Sequence, residues 1–197
     1  MRYDVVIIGA GAAGFACALT LGSANDKFDW AKDKKYLILD DNKSDLNVGK
    51  YFNVAGVDSG INGVDLLLKM KKQLEIYKDV ELKDEKATKI ENLGEYFKIT
   101  TQNSTYEASI VVLATGLHKF DIECEGVNVK DNIFVPKPNN IYLENSNNLI
   151  SKNLYVAGLA SGVATMFSCA SGDGAKVACD IFKLWSGKIA VVHDVKA

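Results

Sequence analysis

Apolar positions along the chain fall into short blocks, some continuous and some alternating. Residues 3–8 form a run whose centre, Val5-Val6-Ile7-Ile8, is β-branched throughout, the pattern of a strand buried on both faces of a parallel sheet. Burying four such side chains contributes about 1.5–3 kcal/mol each. The glycine-rich hexapeptide Gly9-Ala10-Gly11-Ala12-Ala13-Gly14 follows, and from it an alanine-rich, helix-favouring segment runs to Ser23. The next block is Tyr36-Leu37-Ile38-Leu39, closed by Asp40-Asp41. Strand, glycine turn, helix and strand predict one βαβ unit with a right-handed crossover.

After a polar loop over residues 42–60, Asn62 is the expected cap of a helix. Its apolar positions Leu66, Leu67, Met70 and Leu74 share one face, with lysines opposite, so it is expected to lie on the sheet. Three alternating segments, residues 88–92, 96–101 and 105–109, are separated by Leu93-Gly94-Glu95 and Gln102-Asn103-Ser104; they predict an antiparallel meander. Ile110-Val111-Val112-Leu113-Ala114 predicts another fully buried strand, closed by Thr115-Gly116. Residues 117–152 hold both prolines and many asparagines and predict little regular structure. Leu154-Tyr155-Val156-Ala157 predicts the last parallel strand, residues 158–174 a glycine- and serine-rich turn, and residues 175–185 a final helix with Ser186-Gly187 at its C-cap. The expected architecture is a three-layer α/β domain over residues 1–197: a parallel sheet with helices on one face and the three-stranded meander on the other.

Two uncharged stretches, residues 5–25 and 154–172, approach the length that crosses a bilayer. Both are interrupted by glycines and by serine or threonine, where a spanning helix is mostly Leu, Ile, Val and Phe. Each is expected to be a strand, a glycine turn and a helix in one core, and because Asp4 offsets Arg2 no secretory leader is expected. Composition agrees with a packed globule, at 48% hydrophobic and 24% charged. A net charge of -2 offers no broad attraction to phosphate backbones or anionic lipid, so neither nucleic acid nor a membrane surface is an expected partner. Cys17, Cys124, Cys169 and Cys179 lie far apart without CxxC or zinc-ligand spacing. Reduced thiols, a cytoplasmic setting and no structural metal are expected.

Candidate chemistry concentrates at the hexapeptide because it stands directly after a buried strand and directly before a helix. Gly9 permits the tight turn, Gly11 lets the backbone approach a pyrophosphate, and Gly14 lets helix and strand pack closely. The phosphates then meet free N–H groups where the helix opens, around Ala12 and Ala13. Asp40 lies 26 residues after Gly14, with Asp41 beside it, at the end of the second strand, where its carboxylate is placed to accept from ribose hydroxyls.

Three segments, residues 3–14, 110–116 and 153–158, together with Gly60-Ile61-Asn62-Gly63 and the helix after it, give the chain a wider likeness. It resembles the FAD domain of the thioredoxin reductase-like pyridine nucleotide-disulfide oxidoreductases, flavoproteins with two dinucleotide-binding domains. The resemblance implies an FAD/NAD(P)-binding Rossmann-like fold and FAD as the cofactor in preference to NAD. It assigns Gly9, Gly11, Gly14 and Asp40 to the adenosine pyrophosphate half and Thr115 and Gly116 to the FAD crevice. Gly158, Leu159 and Cys169 fall to the flavin half, where backbone N–H groups of residues 168–174 would stabilise negative charge at flavin N1 and O2. It also implies a homodimer.

The departures from that pattern are as informative. The family inserts an NAD(P)H-binding domain after the strand that ends in Ala-Thr-Gly, whereas here residues 117–153 are too short for one and contain one glycine, Gly126. The dithiol of thioredoxin reductases belongs to that missing part, and no CxxxxC follows Asp40. Where the family has Ala-Gly-Asp, this chain has Ala157-Gly158-Leu159; losing a hydrogen bond to a charged group costs about 1.5–3 kcal/mol, or tenfold to a hundredfold in affinity. The expectation is therefore an FAD-binding oxidoreductase-like flavin domain fed by free NAD(P)H or by a redox partner protein. The alternative is a non-catalytic scaffold that binds FAD or its ADP moiety. No catalytic residue is assigned.

Several single residues carry two readings. Lys50 is either solvated or near the flavin ring, and His118 is either a surface residue or an acid–base group. Cys169 is either a core thiol or one activated at a helix start. Cys17 and Cys179 are expected in the core and Cys124 in an exposed loop. Tyr51, Phe52, Met166 and Phe167 are either core or flavin-facing, and His193, in the tail, carries no information.

Overall fold

The computed structural model describes residues 2–190 and residue 192. Strands β1 (Arg2–Ile8) and β2 (Tyr36–Leu39) flank helix α1 (Ala12–Gly22). Short strands β3 (Lys50–Tyr51) and β4 (Ile61–Asn62) lead into α2 (Gly63–Leu74), and β5 (Val80–Lys83), β6 (Ala87–Asn92), β7 (Phe97–Thr101) and β8 (Thr105–Leu113) follow. The remainder is β9 (Glu123–Cys124), β10 (Val129–Asp131), β11 (Ile141–Leu143), β12 (Leu149–Ser151), β13 (Leu154–Val156) and α3 (Phe167–Ser186).

The principal sheet runs β5-β2-β1-β8-β7-β6-β9, with β13 also paired to β8. Strands β5, β2, β1, β8 and β13 are parallel. Their side chains alternate between two cores, as the strand period of two requires. Val5, Ile7, Tyr36, Ile38, Ile110 and Val112 pack beneath α1, α2 and α3. Val6, Ile8, Leu37, Leu39, Val111 and Leu113 pack with Ile90, Phe97, Ile99 and Tyr106 of the meander. The expected α/β class, with helices on one face and the meander on the other, is the observed one.

Two expectations need correction. The predicted strands over residues 105–109 and 110–114 are one strand, β8. Its first half pairs antiparallel with β7 and its second half parallel with β13, while β1 runs along the other edge. The apolar pattern changes from alternating to continuous because the strand passes from a face half open to solvent into a sheet covered on both sides, without any turn of the chain. The final helix begins at Phe167, well before residue 175, so the second half of the predicted glycine turn is helical. Gly174 is there for packing: a Cβ on it would lie 2.0 Å from the Ala13 carbonyl oxygen, so α3 rests directly on the backbone of α1. The helix ends as expected, on Gly187 in the left-handed conformation.

Asn62 caps α2, its Oδ1 accepting the Asp65 N–H at 2.8 Å. Leu66, Met70 and Leu74 are buried and Leu67 is half-buried. Strand β5 had no apolar signature, being a half-buried edge strand rich in charge. Residues 117–152, expected to be irregular, contain the small β10–β11 ladder and β12, which pairs with β13. Among the described residues no helix is long and apolar enough to cross a membrane.

Candidate functional site

The carboxyl ends of β2, β1, β8 and β13 form one edge, and a crevice of about 550 Å³ lies along it, within the size range of small-molecule sites. Its middle is the glycine turn. Gly9 adopts a φ of 105°, donates its N–H to the Leu39 carbonyl at 2.7 Å, and has no room for a side chain because a Cβ would lie 2.5 Å from the Ala114 oxygen. At Gly14 a Cβ would lie 1.9 Å from the Gly9 oxygen. Gly11 differs, since a Cβ there would meet nothing closer than the Ser44 hydroxyl at 3.5 Å. What its backbone leaves free is the crevice itself.

Helix α1 opens into that space. Gly11 provides no side-chain cap, the first turn holds no acid, and the first closing bond is Phe15 N–H to Gly11 O at 3.0 Å. The preceding amides need an acceptor from outside the helix, and the helix dipole makes an anion the favoured one. Asp40 stands beside them. Its Oδ1 accepts the Ala10 N–H at 2.8 Å and its Oδ2 the Asn42 N–H at 3.1 Å. Burial raises its pKa against the pull of those two bonds. Each oxygen keeps a second lone pair for a hydroxyl donor.

Of the residues assigned to the cofactor, Gly9, Gly11, Ala12, Ala13, Asp40, Asp41, Thr115, Gly116 and Leu159 line the crevice. Gly14 and Gly158 lie beneath it, Gly158 with a φ of 75° and a would-be Cβ 2.6 Å from that of Ala13. Cys169 is exposed in the first turn of α3, and its neighbours Phe167 and Ala170 line the crevice instead. The core reading of Cys169 is thus corrected, and so is that of Cys179, which is exposed, whereas Cys17 is buried. The helical period turns positions 169 and 179 away from the α1 contact that buries Ala170, Gly174 and Ala178. Cys124 is half-buried rather than exposed, and burial pushes its thiol up to about 11.

The crevice has two chemically distinct ends. On the β2 side are Asp40, Asp41, Lys43 and Lys86; on the β13 side are Leu159, Met166, Phe167 and Ala170. Between them the Thr115 hydroxyl is buried with no hydrogen-bond partner. An orphaned buried hydroxyl costs free energy unless a ligand supplies its partner. Polar end, anion-ready middle, unpartnered hydroxyl and apolar end fit a dinucleotide whose second base is a flat, largely apolar ring.

His118 and Asp45 both line the mouth, with Nε2 of the first 3.1 Å from Oδ1 of the second and both side chains largely exposed. Lys50 is exposed and outside the lining, as is Phe52, although the adjoining Tyr51 lies within it. His193 falls outside the described residues. The lining also includes Glu85 and Lys86, which carried no signal in the sequence because only long-range packing brings them there. Glu85 accepts from Thr101 Oγ1 at 2.6 Å and Tyr106 OH at 2.7 Å, which hold it below the usual carboxylate range. Lys86 pairs with Asp121. Among the described residues no three His, Cys, Asp or Glu side chains converge as metal ligands.

The pyridine nucleotide-disulphide oxidoreductase family matches residues 3–168. The chain belongs to that family. Within it the likeness is to thioredoxin reductases, as the sequence implied. A curated thioredoxin reductase of Treponema pallidum (strain Nichols) is 32% identical over 114 residues, covering 58% of this chain and 35% of the relative. The chain therefore spans about a third of the length of the curated relative it matches. A thioredoxin reductase from Gloeobacter violaceus superposes with a TM-score of 0.78 at 15% identity, covering 100% of this chain and 99% of that one. A ferredoxin-flavin thioredoxin reductase from Clostridium acetobutylicum gives 0.71 at 16% identity, covering 95% and 98%. These two likenesses show a shared fold.

Proposed function

We propose that the 197 residues form a single flavin domain of the thioredoxin reductase-like type, binding FAD along the carboxyl edge of the sheet. Electrons arrive from a donor outside the chain, either freely diffusing NAD(P)H or a partner redox protein. The carrying observation is the crevice, in which a glycine turn, an uncapped helix start and an unpartnered Thr115 hydroxyl face one open space. Gly11, Ala12 and Ala13 would hold the diphosphate, Asp40 the adenosine ribose, and the Leu159 and Phe167 wall would shield the flavin ring from water. FAD, when bound, supplies two-electron acceptance from a hydride donor. A protein donor is in keeping with the neighbour named as a ferredoxin-flavin thioredoxin reductase. A cytoplasmic setting, supported by the four free thiols, and a homodimer complete the reading.

A second reading, a flavin- or ADP-binding scaffold without turnover, is favoured by the cysteines: none is paired, and Cys17 is fully buried. One experiment separates the directly fed enzyme from the other readings. The protein is purified, its absorption spectrum recorded, and NADH, NADPH or dithionite added without oxygen. A yellow protein bleached by NADH or NADPH supports the enzyme fed directly. Bleaching by dithionite alone supports a partner-fed subunit or a scaffold. A colourless protein that gains no thermal stability from FAD overturns both.

A further inference from the structure

We propose that Asp173 is the positioning residue of the flavin half of the crevice: its carboxylate ties the Gly158 turn to α3 and so fixes the wall that Leu159 and Phe167 present. The inference rests on the flavin-domain reading above. Asp173 lies in the second turn of α3, half-buried, on the same helix whose first turn carries Phe167 and Ala170 to the crevice. Its Oδ2 accepts the Gly158 N–H at 2.8 Å and lies 2.7 Å from Ser161 Oγ, whose single proton is shared with the Gly158 carbonyl at 2.8 Å. Nδ2 of Asn148, itself buried, lies 2.9 Å from both carboxylate oxygens.

Two segments outside α3, the loop at Asn148 and the turn at residues 158–161, therefore converge on one carboxylate. Lys176 Nζ donates to Asn148 Oδ1 at 3.0 Å, which orients the amide with its donor end toward Asp173. Every neighbour of the carboxylate is a donor, so only an acceptor at both oxygen positions satisfies the arrangement. An amide in its place sets NH2 against N–H groups. Gly158, at a φ of 75°, is directly followed by Leu159 in the lining, so loosening this knot moves the wall next to the flavin and leaves the glycine turn near Asp40 untouched.

The test is paired titration of wild type and Asp173→Asn with FAD and with ADP, read by flavin fluorescence and by heat of binding. Far-UV circular dichroism and thermal midpoint serve as folding controls. The expected result is FAD affinity weakened at least about tenfold with ADP affinity unchanged within about twofold, a split that a general loss of structure would not produce. Ser161→Ala, which removes one donor and leaves the carboxylate, is expected to fold even where Asp173→Asn does not and to weaken FAD about threefold with ADP again unmoved. Unchanged FAD affinity in the variants, or equal weakening of both ligands, overturns the inference alone. Wild type that binds neither ligand overturns the flavin-domain reading with it.

Discussion

The two corners of the crevice are built by opposite means. At the β2 corner the geometry is local: six consecutive residues make the turn, two glycines are required by clashes with the backbone beside them, and one carboxylate from the next strand closes the group. At the β13 corner it is assembled from afar. A helix begins at Phe167, its interior glycine rests on α1, and a carboxylate within it reaches back to Gly158 while Asn148 arrives from the preceding loop. Where the ligand is a diphosphate, which demands close backbone approach, the chain must spend glycines at fixed spacing. Where the neighbour is an apolar ring, many packings serve, and long-range hydrogen bonds hold whichever one is used.

If that contrast is right, the corners share one sensitivity and differ in the others. The largest effect is expected from Gly14→Ala and Gly174→Ala, which drive a methyl group into backbone oxygens at 1.9 and 2.0 Å. Each is expected to destabilise the fold by about 3 kcal/mol or more, read from urea midpoints; a loss under about 1 kcal/mol at either position would show that the helices part easily there. Next comes Asp40→Ala, expected to weaken FAD and ADP together by at least about tenfold, because the adenosine end is common to both. Weakening of FAD with ADP unaffected would move Asp40 out of the adenosine site. Leu159→Asp is expected to tighten FAD about tenfold without changing ADP, by supplying a carboxylate at the position where the family resemblance implies one.

The smallest effect is in pH dependence, and the carboxylates differ in sign. Asp79, hydrogen-bonded by Lys35 and Asn25, and Glu85, hydrogen-bonded by Thr101 and Tyr106, have lowered pKa values. They add stability above their ordinary range that is lost as pH falls through the lowered values. Asp40 has its pKa raised by burial, so the folded state binds protons more readily than the unfolded one and stability falls as pH climbs through that window. Asp40→Asn is therefore expected to remove a fall of stability with rising pH just above the ordinary aspartate range. Urea midpoints that follow the wild-type slope would show that the buried carboxylate carries no such cost.

The same contrast explains what the sequence disclosed. The βαβ unit, the Asn62 cap, the two-faced buried strands and the glycine turn were legible because each is a property of neighbouring residues. The start of α3 was not, because Gly172 and Gly174 look like helix breakers, and the use of Gly174 shows only once the backbone of α1 is seen beneath it. The continuity of β8 was hidden by a change of pattern halfway along it, which reflects a change in what covers the strand. Lys86, Glu85 and the Asp173 knot depend on partners 12 to 35 residues away or on loops without any period, and a polar residue in a polar loop announces nothing. Cys169 and Cys179 look apolar by type but sit on the outward side of α3.

The most direct test of the central claim is calorimetric titration of the FAD-stripped chain with FAD, repeated in the presence of saturating ADP. The account predicts one FAD per chain, displaced by ADP, because both share the amides that open α1 and the carboxylate of Asp40. Binding of FAD that ADP leaves undisturbed, or no binding of either, contradicts it.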